Sequence, residues 1–177
     1  MYRGVTLPDE VPGRLYLHSM PGRHESWDEF LREARRVNLD LIVCLSSEGE
    51  IQSKSPAYYR ARASGAIGLA TKDFPIEDFG VPGAEEKGAF RGFVRELAEK
   101  LHAGKGVLIH CKMGIGRTGT VATCVLLELG LLTADALRAV ERAGSNPEVK
   151  VQRRFIAEYS TAPPDPDSAP EAGPYRF

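Results

Sequence analysis

Cys111 and Arg117 stand six positions apart in the stretch His110-Cys111-Lys112-Met113-Gly114-Ile115-Gly116-Arg117-Thr118. A thiol, two glycines and a guanidinium at that spacing suit the binding and attack of a tetrahedral oxyanion. Gly114 and Gly116 let backbone N–H groups converge on one point, in conformations that side chains resist. The helix expected to follow adds its positive dipole end, so Lys112, Met113, Gly114, Ile115, Gly116 and Arg117 read as an anion cradle. The same dipoles stabilise a thiolate, which makes Cys111 a candidate nucleophile. The planar fork of Arg117 can hold two phosphate oxygens at once and stabilise the charge that spreads over them during transfer. Thr118 can donate its hydroxyl to the sulfur. These groups together suit attack on a phosphate ester; the alternative is a structural glycine turn with a buried cysteine.

Departure of an alkoxide or phenolate requires a proton, hence a general acid. Two loop aspartates qualify, Asp73 and Asp78, and either can instead be a turn residue bonding its own backbone. Gln152 is the polar member of an otherwise inward helix face, where it either bonds a loop carbonyl or places a water. His110 reads as a scaffold residue, since no partner spacing suggests a metal. Cys44, expected at a strand end near Cys111, is either core filling or a reversible disulfide partner. Cys124 reads as packing. Lys54, Arg60 and Arg62 form either a positive rim for substrate or ordinary solvated surface.

The loop needs a strand to deliver it and a helix to carry it away. Val107-Leu108-Ile109 supplies the strand, and a helix over about 117–129, apolar nearly all round, should be central. Leu39 to Leu45 reads as a strand buried on both faces of a parallel sheet. Leu15-Tyr16-Leu17 reads as a short edge strand after an irregular lead-in over 1–14, and Ala66 to Ala70 as a further strand. Ser26-Trp27-Asp28-Glu29 is a capping box that opens a helix bearing Phe30, Leu31, Ala34 and Val37. Ser46 to Ser55 reads as a loop, Pro56 to Ala63 as a short helix, and Asp73 to Gly83 as a loop rich in proline and glycine. Phe90, Phe93, Val94, Leu97 and Leu101 mark one helix face, and Thr133 is expected to cap the next helix. Asn146-Pro147 is expected to start a last one bearing Gln152, Phe155, Ile156 and Tyr159. Strands alternating with helices, then helices alone, predict an α/β fold with a central, mainly parallel sheet flanked by helices. Ligands in such folds bind at the carboxyl ends of the strands, where Cys111 falls. Residues 1–160 are expected to form a single catalytic domain, and 161–177 a disordered, proline-rich tail.

At 177 residues, with 42% hydrophobic residues and a net charge of −1, the chain has the balance of a soluble globular domain. That charge argues against broad attraction to nucleic acid or membrane. Three cysteines cannot all pair within the chain, and none has metal-finger spacing, so a reducing compartment fits. The first residues lack the apolar core of a secretion signal and no stretch reaches membrane-spanning length, which predicts a cytoplasmic protein.

Four segments in order and rough spacing resemble the protein tyrosine phosphatase superfamily, most of all its small, dual-specificity-like branch in archaea and bacteria. They are Gly49-Glu50-Ile51, Pro75 to Pro82, His110 to Thr120 and Gln152-Arg153-Arg154-Phe155. The resemblance spans about Leu15 to Tyr159. It implies a four- or five-stranded sheet, a phosphocysteine intermediate, and neither metal nor other cofactor. It favours Asp78 as the acid, because Asp-x-Gly-x-Pro matches the acid-bearing loop, and gives Gln152 the water-placing role. Some relatives carry a second glutamine where this chain has Glu148. Glu50 matches a loop glutamate that assists in some relatives, though a solvated surface charge is an equal reading. Lys112 recurs in relatives acting on inositol lipids, which often add a base where this chain has Ile115. The resemblance thus implies a phosphorylated protein or peptide as substrate, with phosphotyrosine first and dual specificity next. An inositol phosphate or phosphoinositide is the alternative substrate.

Overall fold

The computed structural model describes residues 2–161; the tail expected over 161–177 lies almost wholly outside them. A five-stranded sheet of β1 (Arg3–Val5), β2 (Arg14–His18), β3 (Leu41–Cys44), β4 (Ala70–Asp73) and β5 (Gly106–His110) forms the centre. Its order is β1-β2-β5-β3-β4. Only β1 runs antiparallel to its neighbour. Strands β3 and β5 are buried at every position, because helices cover both faces of a parallel sheet. Two apolar cores result. One packs Val43, Val107 and Ile109 against the helices α4 (Lys87–His102), α5 (Gly116–Glu128) and α7 (Lys150–Thr161). The other packs Ile42, Cys44 and Leu108 against α1 (Trp27–Arg36) and α3 (Pro56–Ala63).

Helix α5 leaves β5 through the cradle loop, and its residues from Gly116 to Leu126 are all buried. The mainly parallel α/β sandwich agrees with the expectation, as do the Ser26 capping box and the apolar face of α4.

Five local expectations need correction. The lead-in contains β1, and β2 is therefore an inner strand rather than an edge. Ser46 to Ser55 contains α2 (Glu48–Lys54), opened by a reciprocal capping box between Ser47 and Glu50. The fourth strand is Ala70–Asp73 rather than 66–70: its residues are mostly exposed, so ladder pairing with β3 and not burial holds it. Ile67, within the expected span, is buried in the turn after α3. Thr133 is the first residue of α6 (Thr133–Arg142) and makes no side-chain cap, since Leu132 occupies the capping position. Asn146 and Pro147 do not start α7, which begins at Lys150. The intervening segment is irregular, and just before it the Ser145 hydroxyl donates to the Gly114 carbonyl of the cradle at 2.6 Å.

Candidate active site

Strand β5 ends at His110 and hands Cys111 directly to the loop. The loop then turns its carbonyls outward, where neighbouring elements bond them. The Lys112 carbonyl accepts from the Met20 N–H at 3.2 Å and from Arg23 at 3.0 Å. The Gly114 carbonyl accepts from Arg3 at 2.5 Å and from Ser145. A trans peptide is planar, with its N–H opposite its C=O. Each outward carbonyl therefore aims the following N–H, of Met113 and of Ile115, at the interior of the loop. The Gly114 N–H donates to the Cys111 Sγ at 3.2 Å.

Gly114 has φ +72°, and a Cβ there would run into the His18 carbonyl, so this position requires glycine twice over. Gly116 differs from the expectation. It begins α5 with no positive φ, and a Cβ there would meet the Glu148 carboxylate, the far end of a flexible side chain that can move aside, so this position demands glycine less than 114 does.

Arg117 is 2% exposed, and both terminal nitrogens of its guanidinium have partners. Nη1 donates to Glu50 Oε2 at 2.8 Å and to the Ile76 carbonyl at 2.9 Å, and Nη2 donates to Glu50 Oε1 at 3.0 Å. Nη2 also lies 3.1 Å from Asp78 Oδ1, while Asp78 Oδ2 accepts from Lys112 Nζ at 3.3 Å. The loop bearing Asp78 is thus folded over the cradle. Hydrogen bonding from Arg117 holds the Glu50 carboxyl below the usual carboxylate range, against partial burial. A groove of about 630 Å³ leads away from Asp78 and Lys112, past Glu50 and Pro75 to Lys54. Two apolar side chains neighbouring these residues in sequence are exposed, Met113 after Lys112 and Phe79 after Asp78, at 45% and 56%. Phe79 has φ +58°, a strained conformation for an aromatic residue.

Asp73 is elsewhere. Its carboxylate accepts from Arg62 at 2.5 Å, and Arg62 in turn donates to the Tyr58 hydroxyl at 3.3 Å. That hydroxyl lies 3.1 Å from His110 Nε2, and His110 Nδ1 lies 3.2 Å from the Cys111 carbonyl. Burial pushes the His110 pKa down to about 3, so the ring is neutral. One arrangement satisfies every partner: Nδ1–H donates to the carbonyl, and Nε2 accepts from Tyr58. Arg62 is therefore part of a relay supporting the loop rather than a free positive rim.

Three expected roles meet a different geometry. The Thr118 hydroxyl is buried without a hydrogen-bond partner among the described residues, and does not reach Cys111 Sγ. The cause is its place in the first turn of α5, while the sulfur is served by the Gly114 N–H. Gln152 borders Gly116, but both ends of its amide are occupied: Oε1 accepts from the Glu148 N–H at 2.8 Å and Nε2 donates to the Gly80 carbonyl at 3.3 Å. It ties α7 to the loop bearing Asp78, the structural alternative of the two. Cys44 packs in the core on the other side of the sheet from Cys111. Burial pushes its thiol up to about 12, which suits packing over disulfide exchange. Cys124, also buried, behaves as expected. Among the described residues no cluster of His, Cys, Asp or Glu is arranged to hold a metal ion, and no helix is long and apolar enough to cross a membrane.

Sequence reasoning passed over Arg3, Arg23, Tyr58 and Ser145. Nothing local marks them, since each acts on a loop carbonyl or on His110 across a long sequence separation. Of the two readings of Glu50, an assisting glutamate or a solvated surface charge, the contacts with Arg117 favour the first, and the Ser47-x-x-Glu50 capping box fixes its orientation.

A family profile described as "Polymorphic toxin system, DSP-PTPase phosphatase" matches residues 18–131, which hold Cys111, Arg117, Glu50 and Asp78. The chain belongs to this family. Among relatives of the DSP-PTPase domain, cyclin-dependent kinase inhibitor 3 of Rattus norvegicus is 34% identical over 97 residues, 52% of this chain and 44% of that protein. The match therefore spans less than half of that curated relative. A mutant form of Tk-PTP aligns at 30% identity with a TM-score of 0.66, covering 88% of this chain and 93% of that one. Kinase associated phosphatase, with its catalytic-site cysteine substituted by serine, aligns at 21% identity and a TM-score of 0.76, covering 90% and 93%. At that identity the likeness speaks to the DSP-PTPase fold alone.

Proposed function

We propose that this chain is a cysteine-dependent protein phosphatase that hydrolyses phosphotyrosine, with phosphoserine and phosphothreonine as further substrates. The observation that carries this reading is the convergence of the Cys111 sulfur, the inward N–H groups and the Arg117 fork, with Asp78 folded over them at 3.1 Å from that fork. The Cys111 thiolate attacks phosphorus; the S–P bond forms as the P–O bond to the leaving group breaks, and Asp78 gives that oxygen its proton. Water then attacks phosphocysteine and surrenders its proton to Asp78. The P–S bond breaks, and thiolate and inorganic phosphate are regenerated. Arg117 and the loop amides hold the equatorial oxygens throughout, stronger in the transition state as charge accumulates there. No cofactor enters the scheme.

The exposed apolar Phe79 and Met113, each next to a site residue in sequence, suit an aryl ester, and the groove toward Lys54 offers room for flanking peptide. Lys112 is engaged by Asp78, and Ile115 supplies no second base, so an inositol phosphate or phosphoinositide ranks below a phosphoprotein. Three buried free cysteines fit a reducing, cytoplasmic setting. Cys111→Ser tests the scheme: turnover of an aryl phosphate should vanish while phosphate-analogue affinity persists. Turnover retained in that variant would refute attack by the thiol.

A further inference from the structure

Arg3 lies outside the segment matched by the family profile, on the outermost strand, yet reaches the middle of the cradle loop. Its guanidinium makes two contacts of unusual reach for so short a strand. Nη2 donates to the Gly114 carbonyl at 2.5 Å, and Nη1 donates to the Gly144 carbonyl. Gly144 closes α6, so the second contact also sets a cation against the negative end of a helix dipole. Ser145, the next residue, adds its hydroxyl to the same Gly114 carbonyl at 2.6 Å.

Two donors on one carbonyl decide which way a peptide faces. The 114–115 unit sits behind a left-handed glycine, the residue type that rotates most freely, and Ile115 follows with φ −117° and ψ −82°. With the Gly114 oxygen held behind the loop, the Ile115 N–H must point into the cradle. Flipped, the same peptide would present its carbonyl oxygen to the bound anion and repel it. We infer that Arg3 is a positioning residue for oxyanion binding: with Ser145 it locks the 114–115 peptide so that the Ile115 N–H faces the substrate oxygens. Arg3 is itself half-buried, which lowers its basicity, while the nearby Cys111 sulfur opposes that loss.

The inference rests on the reading of the loop as an oxyanion site, and the test separates the two. Tungstate, a non-hydrolysable oxyanion, is titrated into the full chain by calorimetry, alongside Arg3→Lys, Arg3→Gln, Ser145→Ala and the combined Arg3→Lys/Ser145→Ala. Arg3→Lys keeps the charge but cannot span both carbonyls; it should weaken tungstate about tenfold, or ~1.4 kcal/mol. Arg3→Gln, which keeps neither the charge nor the reach, should weaken tungstate further. Ser145→Ala should weaken tungstate several-fold, and the combined loss should fall short of the product of the singles, because both donors serve one oxygen. If Arg3→Gln does not fold, Arg3→Lys and Ser145→Ala carry the result. Tungstate affinity within twofold of wild type in both of those variants overturns the role of Arg3, and so do fully multiplicative losses. Wild-type protein that binds no tungstate instead overturns the oxyanion site itself.

Discussion

Glu50→Gln is the substitution whose consequences the geometry specifies most closely. Both carboxylate oxygens of Glu50 accept from Arg117, at 2.8 and 3.0 Å, and the arginine side chain is 1% exposed. Glutamine keeps the shape but removes the charge and turns an N–H toward a guanidinium that has only donors. Hydrogen bonds to charged groups contribute ~1.5–3 kcal/mol each. Part of Glu50 remains in water, so screening discounts the pair and ~2 kcal/mol of stability should be lost. One side of the Arg117 fork is also released, and a misplacement on the order of 1 Å costs up to about a hundredfold in rate. Urea unfolding and steady-state hydrolysis of p-nitrophenyl phosphate read both effects. The pair also predicts a pH dependence. Arg117 holds the Glu50 carboxyl below its usual range, so its stabilisation is present above the unfolded-state pKa of about 4.3 and is lost as pH falls through the lower folded value. That acid limb should be missing from Glu50→Gln. Stability within ~0.5 kcal/mol of wild type and turnover unchanged would refute the claim that Glu50 holds the arginine in place.

Asp78→Asn should slow esters with poor leaving groups by about a hundredfold or more and those with good ones far less. Asp73→Asn should leave that selectivity alone and lower stability instead, since Asp73 is bound to Arg62; leaving-group sensitivity in Asp73→Asn alone would reverse the assignment. His110 is neutral in the fold, with its pKa near 3, whereas an unfolded histidine takes up a proton below about 6.5. Its contribution is therefore complete above that value and declines on acidification, by ~2 kcal/mol at pH 5. Equal unfolding free energies at pH 7 and pH 5 would contradict it. His18, also lowered by burial, acts in the same direction.

The strands that deliver the site were legible because they are continuous apolar runs, as β3 and β5 are, and the cradle was legible because its chemistry is local in sequence. What escaped was held by pairing or by distance. Strand β4 is mostly exposed and β1 is three residues long, so neither carries a burial pattern to read. Helix α2 was hidden by its polar sequence, although its capping box was in view. The supports of the loop escaped for a deeper reason. Arg3 and Gly114 are 111 positions apart, and Tyr58 and His110 are 52 apart, so only the folded chain reveals that they meet. The anion cradle is written in one nonapeptide, while Asp78, Glu50 and the supports of the loop come from distant parts of the chain.

The position of β1 has a cost for durability. A three-residue outer strand, paired on one side only, belongs to the class of segments that open in local fluctuations far cheaper than global unfolding. Yet it bears the guanidinium braced behind Gly114. Heating is therefore expected to release this brace before the core melts, so that oxyanion binding should fade below the unfolding temperature, with the margin set at the periphery rather than in the core.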